Sequence, residues 1–264
     1  LLYALGPCAA KATMARMARR NRAQPMPVKH WSQAGLLLTA WCNARCVNCY
    51  LGCGPERTET LSAERALRAW RELVAASPHG CRIHLTGGEV FGDYPALLDL
   101  CRRADALGLG PLEKIETNAF WATDDEVVRR RVRELAAAGM QKLSISADPY
   151  HQQFVPIACA RRAARVAGEV LGEARVQVRW RAWLGKGFDT AELSPVDRDA
   201  CFARAAASQP RDRLNGRAAE TLARHLPLQP PEHFADIPCR DALLRSKHVH
   251  IAPGGGVMPG TCAG

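Results

Sequence analysis

Three cysteines stand close together in the segment Cys42-Asn-Ala-Arg-Cys46-Val-Asn-Cys49-Tyr50. Thiolates are soft ligands that suit zinc and iron–sulfur clusters. A four-iron, four-sulfur (4Fe–4S) cluster is normally held by four cysteines. Three cysteines in one tight loop can bind three irons, which leaves the fourth iron open to an exogenous ligand. The spacing therefore favours a reactive cluster at Cys42, Cys46 and Cys49 over a simple electron carrier.

The cysteine content of the whole chain agrees with thiolate–metal chemistry in a reducing compartment. There are 11 cysteines among 264 residues, and 47% of the residues are apolar. The length and the alternation of helical and strand patterns do not fit a small secreted disulfide scaffold. No apolar run reaches the roughly 20 residues that span a bilayer. We expect a cytoplasmic, metal-binding globular protein with no membrane span.

The basic charge of the chain is weak evidence for a polyanionic partner. The formal net charge is +10, and arginine greatly outnumbers lysine, as it also does when a genome is rich in GC. The most basic run, residues 14–22, is typical of a solvated helix face or a terminal arm. No aromatic–basic motif of the RNA-recognition type accompanies it. We do not expect a nucleic-acid partner.

Five strand–helix units with short connections follow the basic N-terminal segment. Apolar runs and helical periodicity predict strands over 35–41, 81–86, 112–118, 141–147 and 175–183, and helices over 61–75, 94–107, 124–138 and 157–171. Such units form a parallel sheet with right-handed crossovers. The predicted division is a basic helix and linker over 1–34, the α/β core over 35–190, and a C-terminal extension over 191–264.

Side-chain alternation along the strands indicates the shape of the sheet. In the second strand Arg82, His84 and Thr86 share one face, and Ile83 and Leu85 share the other. The fourth and fifth strands alternate in the same way. Strands covered by helices on both faces are apolar on both. One-sided polarity therefore predicts that one face lines a polar lumen, as in an open barrel with an internal site.

The C-x3-C-x2-C run resembles the radical S-adenosylmethionine (radical SAM) superfamily, in particular its molybdenum-cofactor-synthase and SPASM-type peptide-maturase branches. The likeness covers about 35–190 and resumes near 239–262. It implies a partial (β/α)6-type barrel with a short C-terminal extension. It also implies that the open iron chelates S-adenosylmethionine, which is cleaved reductively to a 5′-deoxyadenosyl radical that abstracts hydrogen from a substrate.

The second strand ends in Gly87-Gly88-Glu89, which is similar to the Gly-Gly-Glu motif of that family. The likeness implies contact with the amino group of the cofactor's methionine. Glycines permit close backbone approach, and a carboxylate suits an ammonium group. Val90 stands where the family usually has proline. On its own this tripeptide is a common turn.

The remaining cofactor contacts are predicted from strand ends and by resemblance. They are Asn118 at the end of the third strand, Ser146 near the end of the fourth, Arg179 and Arg181 on the fifth, and Tyr50. The arginines suit the cofactor carboxylate. Tyr50 or Trp41 would replace an aromatic residue that the family often has at the position of Asn48. Each of these residues also has a plain structural reading, as a loop polar group or a solvated strand face.

The loop after the fourth strand carries the predicted catalytic residues, His151 and Tyr150. Its segment Asp148-Pro-Tyr-His151 faces the expected mouth of the site. A histidine there can contact substrate or relay a proton. An ordinary Asp-Pro turn with a loop histidine is an equally good reading.

Two further cysteine arrangements leave alternatives open. Cys53 follows Cys49 by four residues, so four thiols could close a structural zinc site or a saturated electron-transfer cluster without catalysis. The segment that ends at Cys262 resembles the turn that opens SPASM-type domains, which suggests an auxiliary iron–sulfur cluster involving Cys239 and Cys262.

The motifs do not specify the substrate. The SPASM-like tail favours a ribosomally made peptide, and a small molecule of cofactor or natural-product biosynthesis is the alternative. The chemistry also needs an electron donor such as flavodoxin or ferredoxin.

Overall fold

The computed structural model describes residues 30–186, 188–208, 215–227, 229–235 and 246–259. From Trp31 onward the chain forms one compact unit. The basic segment before residue 30, and both Cys239 and Cys262, lie outside the described residues. The predicted divisions after residues 34 and 190 therefore stay predictions.

One open sheet of seven strands organises the structure. The strands are β1 Gln33–Thr39, β2 Arg82–Gly87, β3 Leu112–Thr117, β4 Lys142–Ser146, β5 Val176–Arg179, β6 His248–Ile251 and β7 Val257–Pro259. Their order is β5-β4-β3-β2-β1-β6-β7, and only the β6–β7 pair is antiparallel. Because β5 and β7 lie at opposite ends, the described sheet is not closed. The predicted α/β class, with an incomplete barrel, is confirmed, and β6 and β7 of the predicted C-terminal extension join the same sheet.

Helices connect the parallel strands in the predicted rhythm. They are α1 Ala63–Ala75, α2 Tyr94–Ala106, α3 Asp125–Ala137 and α4 Ile157–Leu171, followed after β5 by α5 Pro195–Ser208 and α6 Arg217–Thr221. Side chains of Ser62, Asp93 and Asp124 cap the first three helices by accepting hydrogen bonds from N–H groups of the first turn. The fourth begins after Pro156, and Asp189 accepts from the Ile157 N–H at 2.6 Å instead.

The strand alternation places a core on one face of the sheet and a polar cavity on the other. Ile83 and Leu85 of β2 and Ile145 of β4 are fully buried in the apolar core. His84 and Thr86, which alternate with the first pair, line the cavity. The predicted polar lumen is confirmed in the described part of the sheet.

The predicted end of the fifth strand is wrong. Strand β5 stops at Arg179, and residues Arg181–Gly185 form a 3-10 helix. Between them Trp180 has a φ of +61°, a left-handed conformation that ends the strand. Its ring packs edge-on to Tyr150 at 6.2 Å between centroids. Arg181 consequently leaves the face that Arg179 occupies.

No helix among the described residues is long and apolar enough to cross a membrane.

Replacement of the buried Ile145 by alanine tests the core assignment. Ile145→Ala removes packed methyl groups from a fully buried position and is expected to lower the free energy of unfolding by about 2–5 kcal/mol. Val196→Ala is the control, because Val196 is 78% exposed and its loss should change stability by less than about 0.5 kcal/mol. Urea unfolding under anaerobic conditions measures both. Equal losses in the two variants would contradict the core assignment.

Candidate active site

The three cysteines predicted to bind metal lie in the loop that follows β1. Cys42 and Cys46 are buried and Cys49 is half-buried. All three line a cavity of about 550 Å³, a volume typical of a small-molecule site. From the strands and the loops after them, the same cavity is lined by Gly87, Gly88, Asn118, Ser146, His151 and Arg179. The structure therefore brings together most of the residues that the sequence predicts to form the site.

The backbone at the end of β2 holds the start of the cysteine loop. The Gly88 N–H donates to the Thr39 carbonyl at 2.7 Å, and the Glu89 N–H donates to the Trp41 carbonyl at 2.8 Å. A Cβ atom on Gly88 would lie 1.9 Å from the Trp41 carbonyl oxygen. Gly87 has a φ of +136°, and a Cβ atom there would lie 2.5 Å from the Thr39 carbonyl oxygen. Only glycines permit this approach, one residue before Cys42.

The carboxylate of Glu89 faces the protein interior and not the cavity. It accepts hydrogen bonds from the Phe91 N–H, the Thr117 hydroxyl and the Asn118 N–H at 2.6–3.1 Å. Burial raises the pKa of Glu89 to about 7 and outweighs these donors. The sequence predicts contact with an ammonium group, whereas the structure shows Glu89 joining the end of β2 to the end of β3.

Asn118 lies directly against the first cysteine. Its amide Nδ2 is 3.7 Å from the Cys42 Sγ and donates to Asn43 Oδ1 at 2.8 Å. Its Oδ1 accepts from the Phe120 N–H at 3.0 Å, which fixes the orientation of the amide. Burial raises the pKa of the Cys42 thiol to about 12, so this donor is placed where a thiolate needs stabilisation.

Cys49 and Cys53 form a coupled pair of thiols. The Cys49 sulfur accepts two hydrogen bonds from Cys53. One comes from the thiol and the other from the backbone N–H, whose nitrogen lies 3.3 Å from the sulfur. These bonds, with help from Arg217, lower the pKa of Cys49 to about 5 against the effect of burial. The same hydrogen bond and burial raise the pKa of Cys53 above its usual range. Cys49 is thus prepared as a thiolate, the form that binds metal.

Arg217 of α6 holds the cysteine loop and was not predicted from the sequence. Its guanidinium donates to the carbonyls of Cys46 at 3.0 Å, Gly52 at 3.2 Å and Cys53 at 2.9 Å. Its backbone N–H donates to the Cys49 carbonyl at 3.1 Å. The preceding Gly216 has a φ of +55° and leaves room for the Tyr50 carbonyl. The Asn-Gly turn before α6 is visible in the sequence, but the target of Arg217 lies more than 160 residues away.

His151, one of the two predicted catalytic residues, lines the cavity beside the second cysteine. Its Nδ1 is 2.7 Å from Asp148 Oδ2, and the imidazole also hydrogen-bonds the Cys46 sulfur. Burial opposes the charged imidazole, but Asp148 and Cys46 raise the pKa of His151 well above its ordinary value. The structure thus places a fixed, partly covered imidazole against a predicted metal ligand.

Besides Glu89, three predicted or suggested residues lie away from the cavity. The Tyr150 hydroxyl donates to the Phe202 carbonyl at 3.3 Å inside a buried aromatic cluster. Arg181 is exposed and forms an ion pair with Glu173 at 4.0 Å. Trp41 packs edge-on to Phe120 and over Gly92. Tyr50, in contrast, lines the cavity next to Asn48.

Comparison with known proteins finds one curated relative by sequence. No family model matches the chain. A protein of Bacillus subtilis (strain 168), described as "Putative peptide biosynthesis protein YydG", is 32% identical over 124 residues, which is 45% of this chain and 36% of that protein. The chain thus spans about a third of the length of the curated relative that it matches.

The chain resembles the radical S-adenosylmethionine enzymes. The SPASM branch of this radical SAM superfamily was predicted in part from Cys262, which lies outside the described residues, and stays a prediction.

Solved structures of other proteins are similar at low identity. BtrN in complex with AdoMet and 2-DOIA is 14% identical with a TM-score of 0.45, covering 88% of this chain and 74% of that one. Streptococcus suis SuiB bound to precursor peptide SuiA is 13% identical with a TM-score of 0.39, covering 97% and 65%. Because these TM-scores are low, the fold assignment depends on the sheet topology of this chain and not on these similarities.

The thiols at the radical SAM-like loop fit a cluster better than a single metal ion. Tetrahedral zinc with Zn–S bonds of about 2.3 Å needs its sulfurs about 3.8 Å apart. Among the described residues, no three thiols lie within 4.8 Å of one another. Three thiols that line one cavity without converging on a point suit a larger iron–sulfur core.

Gly88→Ala tests the backbone contact that positions Cys42. The new methyl group would collide with the Trp41 carbonyl, so we expect the loop to shift and the iron content after anaerobic reconstitution to fall several-fold. Gly185→Ala is the control, because nothing lies within 4 Å of a Cβ at Gly185. Iron and sulfide analysis measures the effect. Full iron loading of Gly88→Ala would contradict this role.

Arg217→Ala tests the contact between α6 and the cysteine loop. Loss of three hydrogen bonds from a charged donor should lower the free energy of unfolding by about 1.5–3 kcal/mol and speed iron release to a chelator. Arg224→Ala is the control, because it removes only an exposed ion pair with Asp199. The role is refuted if both variants release iron at the rate of the unaltered protein.

Proposed function

We propose that this chain is a radical SAM enzyme, with a 4Fe–4S cluster on Cys42, Cys46 and Cys49 and S-adenosylmethionine at the open iron. One observation carries the proposal. The three thiols line the same cavity as the polar groups at the ends of successive parallel strands. Active sites of parallel α/β barrels lie at this end of the strands.

The residues around the thiols support the proposed cluster in distinct ways. When bound, the cluster and S-adenosylmethionine supply reductive cleavage to a 5′-deoxyadenosyl radical that abstracts hydrogen from a substrate. The backbone of Gly88 and the guanidinium of Arg217 fix the two ends of the loop. The low pKa of Cys49 favours its thiolate before any metal arrives. Asn118 and His151 place donors on the sulfurs of Cys42 and Cys46.

The proposed cofactor contacts follow the cavity lining. Arg179 offers a positive charge to the carboxylate, Ser146 a hydroxyl to the ribose, and Tyr50 a ring to the adenine. Gly87 and Gly88 offer backbone atoms to the methionine end. Since the Glu89 carboxylate is engaged by three internal donors, we propose that it acts by holding these glycines and Asn118 in place. Arg181 lies outside the cavity lining and would join only after a rearrangement of the 3-10 helix that follows β5.

The proposed catalytic residue is His151. Asp148 holds its Nδ1, so the imidazole has a fixed orientation at the cavity wall and can hold a proton there. Tyr150 is proposed to support this loop through its buried hydroxyl and ring contacts, and not to touch substrate.

A peptide is the proposed substrate. The curated relative is described as a peptide biosynthesis protein, and one similar structure was solved with a precursor peptide. A small molecule is the alternative, since another similar structure holds AdoMet and 2-DOIA. A one-electron donor such as flavodoxin or ferredoxin is the proposed partner, and the cytoplasm the proposed location. The auxiliary cluster at Cys239 and Cys262 also stays a proposal.

A non-catalytic four-cysteine module is the second candidate. Cys53 lines the same cavity and hydrogen-bonds Cys49, so it lies close enough to compete as a fourth ligand. A saturated cluster of this kind would carry electrons and bind no cofactor.

The test is production of 5′-deoxyadenosine from S-adenosylmethionine by the reconstituted, dithionite-reduced protein. We expect the product with the unaltered protein and none with Cys46→Ala. Cys101→Ala is the control and should also form the product, because Cys101 is buried in the apolar core on α2, away from the cavity. Cys53→Ala should keep most of its iron and its activity, because the Cys53 N–H, which also donates to the Cys49 sulfur, remains. If Cys53→Ala loses iron as Cys46→Ala does, and no variant forms product, the four-cysteine module is the better account.

A further inference from the structure

Three histidines meet across β1, on the two strands that flank it. His84 lies on β2, and His248 and His250 lie on β6. Both strands flank β1, and the register pairs Gly35 of β1 with His84 on one side and with His250 on the other. His248 lies two residues earlier on β6, opposite Gln33. All three imidazoles therefore project from the same face, and all three line the cavity.

The imidazoles converge on a point. One ring nitrogen from each lies within 4.8 Å of the others. The ring centroids of His248 and His250 are 4.4 Å apart, and those of His84 and His248 are 5.1 Å apart. Among the described residues, no other set of three histidine, cysteine or acidic side chains offers ligand atoms this close together.

Gly35 is the residue that makes this convergence possible. A Cβ atom there would lie 2.4 Å from His250 Cδ2, 2.6 Å from His84 Nε2 and 2.9 Å from His250 Nε2. Contacts this short do not occur for real side chains, so any other residue would force the rings apart. Two imidazole nitrogens consequently meet directly above the middle of β1.

The cavity wall beside the three histidines also carries a lysine and a glutamate, Lys114 and Glu116 of β3. From β3, Lys114 faces this region while paired with Glu116 at 2.6 Å, so its charge is partly balanced.

We propose that His84, His248 and His250 form a binding site for a divalent transition-metal ion, with zinc as the best fit. Imidazole nitrogen suits zinc, and three histidines with one open position form a known type of zinc coordination. Zn–N bonds of about 2.0–2.1 Å bring the nitrogens about 3.3 Å apart, which small side-chain rotations achieve from the observed arrangement. The fourth position faces the cavity. The ion would also join β6 to β2 across β1.

This site shares the cavity with the thiol loop, whose Tyr50 ring lies 6.3 Å from the His250 ring, but it uses different donors and does not depend on the proposed function. Its donors are nitrogen atoms within the strands, whereas the thiols follow the carboxyl end of β1. A zinc site here survives if the chain turns out to be a non-catalytic cluster protein.

The test uses cluster-loaded protein, equilibrated with zinc chloride and then passed through a desalting column. We expect about one zinc ion per chain by elemental analysis, and zinc K-edge absorption that shows imidazole nitrogens at about 2.0–2.1 Å. This edge reports on zinc alone, so iron in the cluster does not interfere. Scattering from sulfur at about 2.3 Å would overturn the proposal, because it would place the ion on thiols.

Variants show whether the three histidines are the ligands. His84→Ala and the more conservative His250→Gln should lose the zinc, while His79→Ala, at an exposed histidine, should keep it. Gly35→Ala retains all three imidazoles, yet it should push the rings apart. We therefore expect the dissociation constant for zinc to rise about tenfold or more. Circular dichroism confirms that each variant folds. Undiminished zinc in folded His250→Gln and Gly35→Ala would overturn the proposal.

Discussion

The close backbone approach between the end of β2 and the end of β1 is the constraint on which the site depends. Gly88 and Glu89 donate to the carbonyls of Thr39 and Trp41, and no side chain fits between these segments. This contact fixes the chain one residue before Cys42. The Glu89 carboxylate extends the constraint to Thr117 and Asn118 at the end of β3, and Asn118 returns to the Cys42 sulfur. The ends of three strands are thus coupled to one thiol.

The three thiols that line the cavity differ in their electrostatic surroundings. Cys42 is buried and has a raised pKa, while Cys49 has a lowered pKa because Cys53 and Arg217 favour its thiolate. Cys46 has His151 as its neighbour, whose charge is favoured in turn by Asp148. Binding of a metal core releases protons from thiols that remain protonated. The surrounding donors therefore reduce the electrostatic cost of placing three thiolates in one cavity. The proposed cluster requires those three thiolates.

Some features of the fold and the site can be predicted from local sequence patterns, and others cannot. The alternation of β2 predicts which residues face the cavity, and the position of the cysteine loop follows from the strand before it, because both depend on neighbours in sequence. The end of β5 depends on the packing of Trp180 against Tyr150, 30 residues earlier, which no local pattern contains. Likewise, the inward turn of Glu89 requires donors from β3, and the role of Arg217 requires carbonyls more than 160 residues away. The histidine cluster became visible only when the register placed His84 and His250 on either side of Gly35.

Electron paramagnetic resonance of the reduced, reconstituted protein with and without S-adenosylmethionine tests the central claim most directly. An open iron in the cavity predicts that the cofactor changes the spectrum of the reduced cluster, and that cofactor enriched in 15N at its amino group adds a hyperfine coupling to that cluster. The change should persist in Cys53→Ala. A spectrum that the cofactor leaves unchanged in a fully loaded protein, together with loss of the cluster in Cys53→Ala, would contradict the account.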